Sequence, residues 1–346
     1  MLFQQIILHI VDRMNEERTI SAPFHLIRGK RSGQTIQDVK IYRLTNYFSL
    51  FPKLTKTTYD NHIQQMIQLK WLVIDEKAIP KLTSSGKAKL MDMPQLKLNG
   101  WIYRGNERIF FQRLSLVTQT LSHVHAKKWS FSPIQKDEKI QLWVRLFLQN
   151  FSYKSEEFVH QYYQELLSLF QSDKLSEIHL VLLTHRLTGY GVSGVTWKQL
   201  SHALQEDEID LQILLQESLH ILLDEISNNR HSLNILSNMS EGIKSSTPLT
   251  ESAKKTSDLF KKGYSFEEIS SIRQLKESTI EDHFVEMAMN GTLTSFQLFF
   301  PNEDVTSLMH EIKKQKTKKL RTLKELFPNY TYFQLRLLLA IGGDSN

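Results

Sequence analysis

The pattern that most restricts this chain lies between residues 248 and 291, PLTESAKKTSDLFKKGYSFEEISSIRQLKESTIEDHFVEMAMNG. Ser265 with Glu268 and Ser278 with Glu281 are both Ser-x-x-Glu steps, the form of a capping box. In such a box, hydroxyl and carboxylate satisfy backbone N–H groups that a helix start leaves unpaired. Thirteen residues separate the two caps, room for a helix of about two turns, a turn and the next start. Leu259, Phe260, Ile269, Ile272, Leu275, Ile280, Phe284 and Met287 recur at helical spacing and would share one small core. Gly263 and Gly291 stand where helices would end, where a left-handed residue is needed. The spacing therefore predicts a helix-turn-helix, with residues 278–289 as the helix offered to a major groove. It would equally serve a helical hairpin that touches no DNA. Lys276, Ser278, Thr279 and His283 are its candidate DNA contacts, but Glu281, Asp282 and Glu286 share the helix. Affinity would have to come from elsewhere.

The rest of the chain supplies positive charge. It has 346 residues, more than one ordinary core, and a formal net charge of +6. That balance favours a polyanionic partner. The absence of cysteine excludes disulfides, cysteine zinc sites and a thiol nucleophile, and fits a reducing cytoplasm. The opening run LFQQIILHIV is too short and interrupted for a membrane span and lacks the basic leader of a signal peptide. A cytoplasmic protein without membrane association is expected.

Taken in order, residues 2–14 are an amphipathic helix, and Ser21 with Pro23 starts a short one that stops at Gly29 within the basic loop Arg28-Gly29-Lys30-Arg31. Residues 35–48 predict a third helix, and 56–70 a long one with Ile63, Met66, Ile67 and Leu69 turned inward. LVIDEKAIPKLT alternates around an acidic turn, as a β-hairpin does, and Thr83 caps a last helix. Helices, a longer helix and a two-stranded ribbon make a winged helix.

Residues 94–125 mix Trp101, Tyr103, Phe110 and Phe111 with Arg104, Arg108 and Arg113. Such a mixture can stack bases, but more often packs a helix on a core. His123 and His125 point apart on a helix, so no metal is expected. From 136 to 233 the chain is a series of Leu-rich amphipathic helices. The literal G-x-G-x-x-G at 189–194 has helices rather than strands on either side, so no βαβ nucleotide site forms. It reads as a tight loop, with Thr196 and Gln199 capping the next helix. Residues 234–248 are small and polar and read as a linker. Beyond the helix-turn-helix, a helix at 303–321 carries Lys313, Lys314, Lys316, Lys318, Lys319 and Arg321, the densest positive run, which is either a solvated face or a phosphate contact.

Two stretches resemble a known family. FHLIRGKRS, TYDNHIQQMIQLKWLV and IPKLTSSGKAKL, within residues 5–91, resemble the winged-helix region at the C-terminus of RecQ helicases, with Ile27-Arg28-Gly29 and Leu82-Thr83-x-x-Gly86 at its marker steps. The resemblance implies DNA contact by Arg28, Lys30, Arg31, Lys53, Lys56, Thr57 and Thr58. The family's four-cysteine zinc module is absent here, and the wing is short, with Asp75 and Glu76 at its tip. Residues 247–342, through Thr250, Thr256, Gly263, Arg273, Ser278, His283 and the late YFQLR, resemble a helix-turn-helix domain appended to some RecQ-type helicases. Together they resemble the YpbB family, which is found beside a short RecQ-like helicase.

The expected fold is mainly α. It comprises a winged helix with a small β-hairpin (1–92), a helical bundle (93–233), a linker (234–248) and a helix-turn-helix domain (249–346). No G-x-x-x-x-G-K-[ST] is present, so no phosphate-cradling loop can drive a motor, and no catalytic site or cofactor is expected. The expected function is a DNA-binding accessory to a RecQ-like helicase acting in trans, in repair or recombination. The alternative is a sequence-specific transcription regulator, which would need a dimer on half-sites about one helical turn apart.

Overall fold

The computed structural model describes residues 1–245, 249–293, 295–301 and 303–342. These residues are mainly helical, with one two-stranded antiparallel sheet, as the sequence leads one to expect. They divide into two compact units. One comprises Met1–Gln5 with Met93–Ser245, and the other Ile6–Asp92 with Ser246–Asn346.

The first unit is built around the helix Glu208–Asn228. Its apolar residues are too widely spread for one stripe: Leu211, Ile213, Leu215, Leu219, Leu222, Leu223 and Ile226 are all buried. A helix apolar nearly all round has to be central, and the helices Glu107–His125, Glu156–Phe170, Glu177–His185 and Trp197–Leu204 surround it. Its polar groups are buried with partners, as burial demands. Asp210 accepts from the backbone N–H of Leu2 and Phe3 at 2.9 and 2.8 Å. The Nδ1 of His220 accepts from the backbone N–H of Asn99 at 3.0 Å, and its ring stacks on Tyr103 at 4.6 Å.

Residues Trp101, Tyr103 and Phe110 belong to the interior, so the aromatics of 94–125 pack. The guanidinium of Arg113 lies 3.9 Å from the ring centre of Trp143 and that of Arg104 4.9 Å from Trp101. The glycines at 189–194 form a tight loop closed by a Gly189–Val192 bridge, with helices before and after. Thr196 and Gln199 form the expected capping box. The expected linker is different from what the sequence suggests at its start. Asn234–Ser240 is a helix with Ile235, Leu236 and Met239 buried. The buried Glu165 accepts from the backbone N–H groups of Ile235 and Leu236 at 3.2 and 3.0 Å. A carboxylate from a distant helix thus supplies the cap and favourable charge that the local sequence lacks. Residues 246–248 of that stretch lie outside the described residues.

The second unit joins an N-terminal segment, from Ile6 onward, to the C-terminal segment. From the N-terminal side come the helix Leu2–Met14 from Ile6 onward, the helices Ser21–Ile27, Gly33–Ile41 and Lys56–Gln68, the strands Leu72–Ile74 and Pro80–Leu82, and the helix Ser84–Met91. The strands pair with Leu72 opposite Leu82 and Ile74 opposite Pro80. Gly86 lies so close to this hairpin that a Cβ would overlap the carbonyl oxygen of Trp71, which accounts for glycine after the Leu-Thr step. The predicted helix 35–48 ends at Ile41, because Arg43 turns left-handed (φ +55°). From the C-terminal side come Glu251–Lys261, Phe266–Arg273, Glu277–Met289, Val305–Lys314, Leu320–Leu326 and Tyr332–Gly342.

Glu277–Met289 is the core of this unit. It packs on Glu251–Lys261, Phe266–Arg273, Tyr332–Gly342 and, from the N-terminal segment, Gly33–Ile41. Arg336 ties the segments together: it pairs with Asp282 and donates to Gln37 at 3.1 Å. Glu17 accepts from the Thr317 hydroxyl at 2.8 Å and the Lys318 backbone at 2.9 Å. The winged-helix and helix-turn-helix segments, expected as separate domains, therefore share one unit. No sequence periodicity reports a contact between segments some 250 positions apart. Among the described residues, no helix is long and apolar enough to cross a membrane.

Candidate nucleic-acid interface

The loop after Ser21–Ile27 brings cations together by backbone geometry. Gly29 is left-handed (φ +70°), and the N–H groups of Gly29 and Lys30 return to the carbonyls of Leu26 and His25 at 2.9 Å each. These bonds end the helix as a left-handed glycine cap does. A Cβ on Gly29 would lie 2.5 Å from Cβ of Ser49. Gly29→Ala therefore combines backbone strain with a steric clash, and should cost about 2–4 kcal/mol in a urea denaturation measurement.

This turn leaves Arg28, Lys30 and Arg31 exposed. The Arg28 guanidinium lies 5.3 Å from the ring centre of Phe24, and the Lys56 ammonium 5.5 Å from the same ring. One buried aromatic thus gathers cations from the loop and from the first turn of Lys56–Gln68. His25, beside them, has its pKa lowered, first by burial and then by Lys30, Arg28 and Lys56. Lys53, Thr57 and Thr58 are exposed nearby in sequence. Thr58 is committed locally, since its N–H bonds the capping hydroxyl of Thr55 at 3.1 Å.

Lys56–Gln68 buries Tyr59, Ile63 and Met66 and exposes its other face. Leu69, expected inward, follows the helix as its cap and is 51 % exposed. The exposed face carries Asn61, Gln64 and Gln68, which are not among the candidates that charge and resemblance mark in the sequence. They fall three and four apart, opposite the buried residues, a signal that was present. Carboxamides on an exposed helix can pair bidentately with adenine in a major groove.

The expected recognition helix is arranged differently. Glu277–Met289 begins at a Lys276 N-cap that makes no side-chain bond, so Ser278 and Glu281 form no capping box. The Ser265–Glu268 box is formed. Lys276 and Ser278 are exposed and Thr279 is half-buried. His283 faces inward: its Nδ1 meets the Thr256 hydroxyl at 2.8 Å. Its pKa is lowered to about 4, mainly by burial and also by Arg273, against a weaker opposing effect of Asp282. Residues Ile280 and His283 to Met289 are all buried. The helix-turn-helix pattern is realised, but most of its last helix is committed to packing.

The lysine run also divides. Val305–Lys314 stops, Lys316 is left-handed (φ +53°), and a second helix starts at Leu320, so 303–321 is not one helix. Lys318 turns inward, donating to the carbonyl of Ile41 at 2.6 Å and lying 4.8 Å from the ring centre of Tyr42. Arg321 pairs with Glu325 at 3.4 Å. Lys313, Lys314, Lys316 and Lys319 remain exposed.

Residues 252–339 match the family model of a helix-turn-helix domain. Over nearly its full length the chain is similar to Protein YpbB of Bacillus subtilis (strain 168), with 28% identity covering 98% of this chain and 97% of the relative. No solved structure matches. The helix-turn-helix match, in a chain with an exposed cluster of cations, suggests DNA binding.

Proposed function

We propose that this protein is a DNA-binding accessory to a separate RecQ-type helicase in repair or recombination, and that it grips DNA through its N-terminal winged-helix segment. One observation carries the DNA-binding part: Arg28, Lys30 and Lys56 converge beside an exposed helix face, while the last helix of the helix-turn-helix is largely buried. The cations supply attraction to phosphates in any sequence. In this reading Asn61, Gln64 and Gln68 would meet base edges, and the exposed Lys53 and Arg31 would add to the attraction. Catalysis in this reading belongs to the motor. The helicase association rests on the likeness of both end segments to modules fused to RecQ motors.

Fluorescence anisotropy with forked, blunt duplex and single-stranded DNA tests this, together with unwinding by a motor-only RecQ-type helicase with and without the chain. The expected result is comparable affinity for unrelated sequences and faster unwinding when the chain is present. A strong preference for one sequence over its scrambled duplex, with no effect on unwinding, would establish the regulator reading instead.

A further inference from the structure

We propose that the second unit holds another site, a cationic cleft that binds the phosphate group of a nucleotide-sized molecule. The cleft has a volume of about 570 Å³, in the range of small-molecule sites. Arg13, Arg43, Lys313, Lys316 and Lys318 line it, against one carboxylate, Asp12. Three separate segments of the chain supply these cations. None of Arg13, Arg43, Lys313 and Lys316 has an ion-pair partner among the described residues. The remaining wall is apolar, through Met309, Ile312, Leu338 and Leu339. A phosphate among the cations and a ring on this wall would fill both halves.

A plainer role for the cations is to offset helix dipoles. Leu2–Met14, Gly33–Ile41, Val305–Lys314 and Tyr332–Gly342 all have their C-terminal ends on the lining, and each contributes about half a negative charge. Adding Asp12 and Glu17 to these still leaves the positive side in excess. Arg43 and Lys316 both occupy left-handed positions just past helix ends, at φ +55° and +53°. Glycine adopts that conformation with least strain. The chain places other cations in this conformation too, at Lys70, Arg104 and Lys127, but of these positions only Arg43 and Lys316 line the cleft. Lys318, deeper in, has its pKa lowered by burial and then by Arg13, with Arg43 and Arg18 also lowering it and Glu17 opposing. Burial is the larger cause, and the neighbouring arginines add to it.

The strain provides the test. Arg43→Gly with Lys316→Gly removes two cations and relieves the backbone at both positions. Titration calorimetry on the full chain at low salt should show binding of inorganic pyrophosphate, and tighter binding of ADP, which adds a ring for the apolar wall. The double variant should lose at least roughly tenfold in both affinities while melting at the same temperature or higher. Lys313→Gln, at an exposed position, should weaken pyrophosphate in the same direction. Affinity for a random duplex should change little in either variant. If the parent chain binds neither pyrophosphate nor ADP, or the double variant binds them as well as the parent does, the proposal fails. Loss of duplex affinity without phosphate-ligand binding would assign these cations to the DNA backbone and also overturn it.

Discussion

Reversing the charge of Arg28, Lys30 and Arg31 together is expected to weaken binding to every DNA tested, by roughly a hundredfold or more at low salt. The reason is additive and electrostatic. Each cation that neutralises a phosphate releases a counterion, so each lost contact should flatten the plot of log affinity against log salt by roughly one unit. The three residues are exposed on a loop pinned by Gly29, and Arg28 shares the Phe24 ring with Lys56. Reversal adds three like charges to that loop without touching the core. Forked, duplex and scrambled DNA should lose affinity alike, since phosphates carry no sequence information. Anisotropy titrations over a series of salt concentrations measure both quantities. An unchanged slope would remove this loop from the DNA footprint and leave the winged-helix reading without its main support.

Phe284→Ala is expected to destabilise the second unit by about 3–5 kcal/mol, the range for deleting a large aromatic from a packed core. Phe284 is 0 % exposed and meets Phe260, Phe266 and Phe299 at 5.0, 5.7 and 5.4 Å between ring centres. Its removal opens a cavity where three helical segments meet. Ser278→Ala on the same helix should stay within about 0.5 kcal/mol, because that hydroxyl is exposed and caps nothing. Urea unfolding followed by circular dichroism would give both values. A small effect at Phe284 would mean that Glu277–Met289 is not packed as a core helix, and a large one at Ser278 would restore the capping role of its hydroxyl.

These two expectations mark how far the sequence could be read. The Ser265 box, the Thr196 box and the alternation at 72–82 are local signals, and each appears in the structure where the sequence places it, whereas helical periodicity overran the helix ends at Ile41 and Lys314. Glycines 29 and 263 likewise end helices in left-handed conformations. The structure departs from the local signals at two kinds of place, a shifted helix start and a partner brought in from far along the chain. Ser278 has no capping role because the cap position falls two residues earlier, at Lys276. The stretch after 233 became helix because Glu165 caps it from elsewhere. The exposed carboxamides of Lys56–Gln68 carry no charge to mark them, and only their spacing opposite Tyr59, Ile63 and Met66 distinguishes them in the sequence.

By itself the sequence determined the helical class, the hairpin and the positions of the exposed cations, because those depend on neighbours a few residues apart. Tertiary structure alone decided that Glu277–Met289 is a core helix, that the segment Ile6–Asp92 forms one unit with the C-terminal segment, and that Arg13, Arg43 and Lys316 border one cleft. The physical reason is that burial and charge convergence belong to pairs of residues separated by hundreds of positions. Such pairs leave no periodic trace along the chain, and Arg336 reaching both Asp282 and Gln37 is one example.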